Sequence, residues 1–172
     1  VKEFVVPYLF WYVYIFFGFL YLGFNSTKDF YRLYLFLFIG MSIACIIYMV
    51  YPNGQHLRPH IVQNDFFSNV IKRIYAYDTP TDVFPSIHVI NTIGVFTALY
   101  NCEKLKDKHL FQGLSFTVTV LICISTLFIK QHSFDDVLGA IVISIFLYFL
   151  IYKIMPKLFR LNCFRRKENS VA

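Results

Sequence analysis

Charged residues are scarce in this chain: they make up 15% of its 172 positions, against 58% hydrophobic and 20% aromatic. A soluble domain of this size needs far more polar surface, so the shortage argues against a soluble fold and for a membrane protein. Cysteine is sparse too. Cys45, Cys102, Cys123 and Cys163 have no paired spacing and form no Cys-x2-Cys, which argues against a zinc cluster or a disulfide framework. No small-residue cleavage site follows the opening apolar stretch, which is too long for a signal peptide. Period-2 polarity is lacking as well, which argues against a membrane barrel. There is no internal repeat, low-complexity segment or second domain.

What remains is a set of apolar runs. Five approach the ~20 helical residues needed to cross a hydrocarbon core of ~30 Å. They predict an all-α, polytopic transmembrane helix bundle with spans over 5–24, 31–50, 85–100, 110–129 and 134–155. The third is shorter and less apolar than the others. Most connections are short: 25–30 as a turn, a charged loop after 100, and 130–133. The exception is 51–84, which is rich in proline and polar residues. A connection of that length in so economical a chain is usually functional or disordered.

Charge sets the orientation. With five spans, the 25–30 turn, the loop after 100 and the C-terminus share one side. That side holds Lys28, Arg32, Lys104, Lys106, Lys108, Lys153, Lys157, Arg160, Arg165, Arg166 and Lys167, eleven of the sixteen basic residues. The positive-inside rule assigns it to the cytoplasm. The basic tail, 156–172, then reads as a juxtamembrane anchor on anionic lipid, not as a nucleic-acid surface. The 51–84 and 130–133 connections face the opposite, extracytoplasmic side.

Every candidate for chemistry falls in those two connections. His132 and Asp136 are spaced i, i+4, which puts both on one face of a helix start. A carboxylate that accepts from one imidazole nitrogen leaves the other with a free lone pair. The same spacing also fits an aspartate that merely caps the helix, and Asp135 is the neighbouring decoy. Ser86 and His88 open a helix behind Pro85, where first-turn amides favour an anion and His88 could protonate a leaving oxygen. Taken alone, a plain Pro-Ser cap with an interfacial histidine is the better reading of these residues. Arg58 has the bidentate geometry that phosphate oxygens need, or it is an arginine among lipid headgroups. Lys130 is a second cation, or a lysine snorkelling at the membrane edge.

Taken together these motifs resemble the type 2 phosphatidic acid phosphatase superfamily of membrane lipid phosphatases and phosphotransferases. That family carries Lys-x6-Arg-Pro, Pro-Ser-Gly-His and Ser-Arg-x5-His-x3-Asp. Here the first reads Tyr51 through Arg58-Pro59, the second Pro85-Ser86-Ile87-His88, and the third Ser125-Thr126, then His132 and Asp136. The resemblance implies a single lipid-phosphatase-like domain over 1–172. Family members usually have six spans, so five in a chain that starts at Val1 predict that the first helix is missing. It implies hydrolysis of a phosphate ester or diphosphate of a membrane lipid, with the bilayer as its setting and the plasma membrane as its location. In that reading His132 attacks phosphorus and forms a phosphohistidine, Asp136 orients it, and His88 protonates the leaving group. Arg58 and Ser86 hold phosphate oxygens, and no metal or other cofactor is implied; Lys130 is added as a phosphate-binding cation that compensates where this chain lacks the family's own.

Three positions depart from the family pattern. Tyr51 stands for the first lysine, Ile87 for the glycine and Thr126 for the arginine. Two phosphate-binding cations are thereby lost. The wording Phe-Pro-Ser-Ile-His is similar to a divergent branch, the inositol-phosphoceramide and sphingomyelin synthases. Those act on phosphodiesters, so headgroup phosphotransfer is the alternative activity.

Overall fold

The computed structural model describes residues 1–157 and is all-helical apart from one isolated β-bridge. The predicted basic tail lies almost wholly outside the described residues. Six α-helices follow in order: α1 (Val5–Asn25), α2 (Thr27–Val50), α3 (Phe66–Tyr77), α4 (Ile87–Tyr100), α5 (His109–Phe128) and α6 (Phe134–Tyr148). A π-helical stretch, Phe149–Ile154, extends α6. Four helices are long and apolar enough to cross a membrane: α1 and α2, then α5 and the extended α6. Their outward faces carry large apolar side chains such as Phe16, Phe38, Phe116 and Ile145, each more than half exposed. A polar solvent would penalise that surface; lipid does not. The chain is an integral membrane protein.

The third predicted span differs from the rest. As α4 it has 14 residues, or ~21 Å of helix, too short to cross the hydrocarbon unaided. It is instead the centre of the bundle, packed by α1, α2, α5 and α6. That position explains its lower apolarity, since protein and not lipid covers its Asn91 and Thr92. Close approach is needed to enclose it. A Cβ at Gly94 would lie 2.7 Å from Phe36 and 2.8 Å from Leu37, and one at Gly40 would lie 2.6 Å from Ile90. Small residues at such crossings let helix backbones come together.

Two boundaries depart from expectation. The 25–30 turn is only Ser26, and α2 begins at Thr27. Ser26 caps α2 by accepting from the Asp29 amide at 3.4 Å, and its hydroxyl donates to Asp29 Oδ2 at 2.6 Å. The Arg32 guanidinium then pairs with Asp29 at 3.1 Å. Local capping therefore extends the helix through residues whose polarity suggested a loop.

The long connection also contains a helix, α3. Asp65 caps it, and Lys2 pairs with that carboxylate at 2.9 Å. The Lys2 ammonium, and then the Ser68 hydroxyl, hold the Asp65 carboxyl well below the usual range. Ile71, with Phe67, Val70, Ile74 and Tyr75, packs against Val5, Tyr8 and Ile129. Phe66 and Tyr77 stay exposed, at 75% and 90%.

Helix direction follows from pair contacts. Gly18 packs on Val95 and Trp11 on His88, so α1 and α4 run parallel. Phe4 meets Phe128, and Tyr14 meets Ser115, so α5 runs against α1. Gly40 meets Leu147 and Arg32 meets Tyr152, so α2 runs against α6. The starts of α4 and α6, the end of α5 and the 51–84 connection therefore gather at one end of the bundle.

Candidate active site

At that end two imidazoles meet. The rings of His88 and His132 lie 5.6 Å apart between centroids, at 60° to one another. Both are at least nine-tenths buried. His132 Nδ1 is 3.0 Å from the Val83 carbonyl oxygen and 3.6 Å from Asp136 Oδ2. A carbonyl can only accept, so Nδ1 carries the proton in that contact. The lone pair of the neutral ring is then on Nε2.

Asp136 has more than one contact. Its Oδ2 accepts from the Ser133 amide at 2.6 Å while Ser133 Oγ accepts from the Asp136 amide, a reciprocal capping box that starts α6. The two sequence alternatives for this residue, helix cap and histidine partner, are thus compatible. Its carbonyl accepts from the Ser86 amide at 3.2 Å, which ties the start of α6 to the start of α4. Ser86 itself is fully buried and caps α4 through its hydroxyl, which accepts from the Val89 amide at 3.4 Å. Among the described residues, the amides of Ile87 and His88 are left as the open donors of that first turn, where the helix dipole favours an anion.

The Val83 carbonyl is held by a residue that the sequence reading did not single out. Asn53 Oδ1 accepts from the amides of Val83 (2.9 Å) and Phe84 (2.8 Å), and its Nδ2 donates to the Phe84 carbonyl at 3.2 Å. Tyr48 donates to the Pro85 carbonyl at 2.7 Å. Gly54 sits against this strap, and a Cβ there would be 3.0 Å from the Pro80 oxygen. The 51–84 connection therefore folds back and presents a carbonyl to His132.

Arg58 reaches the same neighbourhood. Its Nη2 donates to Gln131 Oε1 at 2.6 Å, Nη1 donates to the carbonyls of Tyr75 (3.3 Å) and Asp78, and its guanidinium lies 4.8 Å from the Tyr75 ring centroid. Tyr75 in turn donates to the Ile129 carbonyl at 2.6 Å. Helix α3 thereby fixes the arginine. Gln131, immediately before His132 and 2% exposed, also went unnoticed in the sequence. Its carbonyl accepts from Gln55 Nε2. The signal was its place immediately before the His-x3-Asp stretch, not its residue type.

Lys130 is arranged differently. It is exposed, has a left-handed backbone (φ 57°) and lines an outer groove with Lys2, Glu3, Gln63 and Tyr75. Its ammonium has no hydrogen bond to another described residue. Thr126, in place of the family arginine, is fully buried and donates to the Cys123 carbonyl at 2.8 Å.

Several buried polar atoms around the two histidines have no partner among the described residues: His88 Nδ1, Arg58 Nε, Gln131 Nε2, Gln55 Oε1 and Trp11 Nε1. Buried polar groups are rarely left unpaired, so a cluster of them marks a place for a polar ligand. Most of the cluster are donors, which suits an anion. No group of three or more His, Cys, Asp or Glu side chains among the described residues is placed to hold a metal ion.

A family model described as the PAP2 superfamily matches residues 54–160, a stretch that contains every residue of this constellation except Asn53, Tyr48 and the side chains of α1. No curated protein and no solved structure matches the chain.

Proposed function

The chain belongs to the PAP2 superfamily, and is thus an enzyme of phosphatase-type phosphoryl transfer on lipid-like substrates; from that premise we propose that it cleaves a phosphate ester or diphosphate of a membrane lipid through a phosphohistidine at His132. The observation that carries this reading is the contact of His132 Nδ1 with the Val83 carbonyl oxygen, with the His88 ring alongside. With Nδ1–H committed to the Val83 carbonyl, Nε2 has the free lone pair, and the His88 ring lies 5.6 Å from that of His132 between centroids.

In the proposed first step Nε2 attacks phosphorus and the bond to the leaving oxygen breaks. His88 gives that oxygen a proton as it departs. The Nδ1 proton stabilises the positive charge that the ring acquires through its contacts with the Val83 oxygen and the Asp136 carboxylate. Arg58, with the first-turn donors of α4, balances charge on the non-bridging oxygens. In the second step water, activated by His88, breaks the P–N bond and phosphate leaves. We place the reaction on the extracytoplasmic side of the plasma membrane, because the opposite side carries most of the basic residues.

Headgroup phosphotransfer is a second reading with its own support. Tyr51 and Thr126 supply no cation, and Lys130 makes no bond into the cluster. One guanidinium and neutral donors match the single negative charge of a phosphodiester better than the double charge of a monoester.

Purified protein in detergent with excess EDTA, given phosphatidate in one assay and a phospholipid with diacylglycerol or ceramide in another, tests both. Under the first reading inorganic phosphate is released, and His132→Ala lowers turnover at least ~1000-fold. Transfer of a phospholipid headgroup to diacylglycerol or ceramide, without release of phosphate, selects the second. Turnover retained by the His132→Ala protein rejects both.

A further inference from the structure

We propose that Trp11, on the first helix, contacts the substrate: its indole N–H donates to a non-bridging oxygen of the phosphoryl group held beside His88. This rests on the reading of His88 and His132 as the phosphoryl-transfer site. Trp11 lies outside the residues matched by the family, and its role is argued from its surroundings alone.

The ring of Trp11 is 4.4 Å from that of His88 between centroids, tilted by 44°, and Tyr8, one helical turn earlier, is 4.8 Å from it. Spacing of i, i+3 puts both aromatics on the face of α1 that meets α4. Packing alone would need only the rings. The indole nitrogen adds something that packing does not use, because Nε1 is buried and has no acceptor among the described residues. A buried N–H is costly to leave unmade, and indole is a donor only. An oxygen of an anion bound against His88 satisfies it in either charge state of the ligand.

Trp11 is the only tryptophan in the chain, so the protein carries its own reporter. Excitation at the red edge, where tyrosine does not absorb, follows Trp11 during titration of the full chain in detergent with inorganic phosphate. Chloride at matched ionic strength is the control. The proposal expects a saturable change in emission with phosphate only, lost in Arg58→Ala. It also expects Trp11→Phe, which keeps a ring and removes the N–H, to lower kcat/KM about ten- to a hundredfold with an unchanged unfolding temperature.

Wild-type kinetics in Trp11→Phe overturn the proposal, even if the emission responds. If that variant does not fold, the titration decides: an unresponsive emission at phosphate concentrations that inhibit turnover also overturns it. Failure of the underlying reading is distinguishable, because it appears as turnover retained by His132→Ala, whereas failure of this proposal alone leaves the His132→Ala protein inactive.

Discussion

At the scale of residues, the proposed chemistry depends on which nitrogen of His132 holds the proton. The His-x3-Asp spacing was visible in the sequence and pointed to Asp136 as the partner that sets it. The shorter contact is with the Val83 carbonyl, at 3.0 Å against 3.6 Å for the carboxylate. No local pattern could reveal that, because the carbonyl comes from 49 positions away. Asp136 keeps a double role through its capping box. We predict that Asp136→Asn lowers turnover about tenfold, less than loss of the nucleophile, since the carbonyl still orients the ring. Asp135 is exposed, and Asp135→Asn should leave turnover within twofold in the same assay. The reverse ranking would mean that the other carboxylate faces the reaction. Gln131 gives a second test. Gln131→Leu removes the acceptor for Arg58 Nη2, and a rise in KM of about tenfold, with a smaller change in kcat, is expected if Arg58 binds phosphate.

Elements were legible where their pattern was long and failed where it was short. The four long spans stood out as uninterrupted apolar runs. The start of α2 was obscured because Ser26, Lys28 and Asp29 look like a turn when read one by one. As a capping group they begin a helix. Helix α3 was missed because its length falls below that of a span and its polar residues dominate the impression. Its apolar set, Phe67, Val70, Ile71, Ile74 and Tyr75, nevertheless follows the i, i+3, i+4, i+7, i+8 pattern of an amphipathic helix. The strap at 51–84 was not legible at all, because it is built from an asparagine side chain bonding backbone groups about 30 residues away. Asn53→Ala would free two amides and two carbonyls, at a cost of ~2–3 kcal/mol. Thermal unfolding in detergent should register that loss. Turnover should fall further than stability alone explains, because Val83 would no longer be held against His132. Full activity in a destabilised Asn53→Ala protein would dissociate the strap from catalysis.

Over the described residues, four lipid-facing helices pack against a short, buried one. The sequence could permit His88 and His132 to meet, since both lay at the same end of their predicted spans, but it could not bring them together. Tight crossings around α4 do that. Gly94 lies against Phe36 and Leu37, so Gly94→Ala overfills the α2–α4 contact and should cost ~1–3 kcal/mol. The expected sign is a lower unfolding temperature with little change in KM for the fraction that remains folded. An unchanged temperature would mean that the two helices separate more easily than their spacing suggests.

Lipid-phosphate turnover through a covalent histidine is most directly tested by trapping the intermediate. The enzyme is mixed with a lipid phosphate carrying a labelled phosphorus, quenched in base within one turnover, and digested for mass spectrometry. Label is expected on His132 as a phosphoramidate that survives base and is lost in acid, and none on the His132→Ala protein. Label on another side chain, or turnover with no covalent label at any time, would contradict that mechanism.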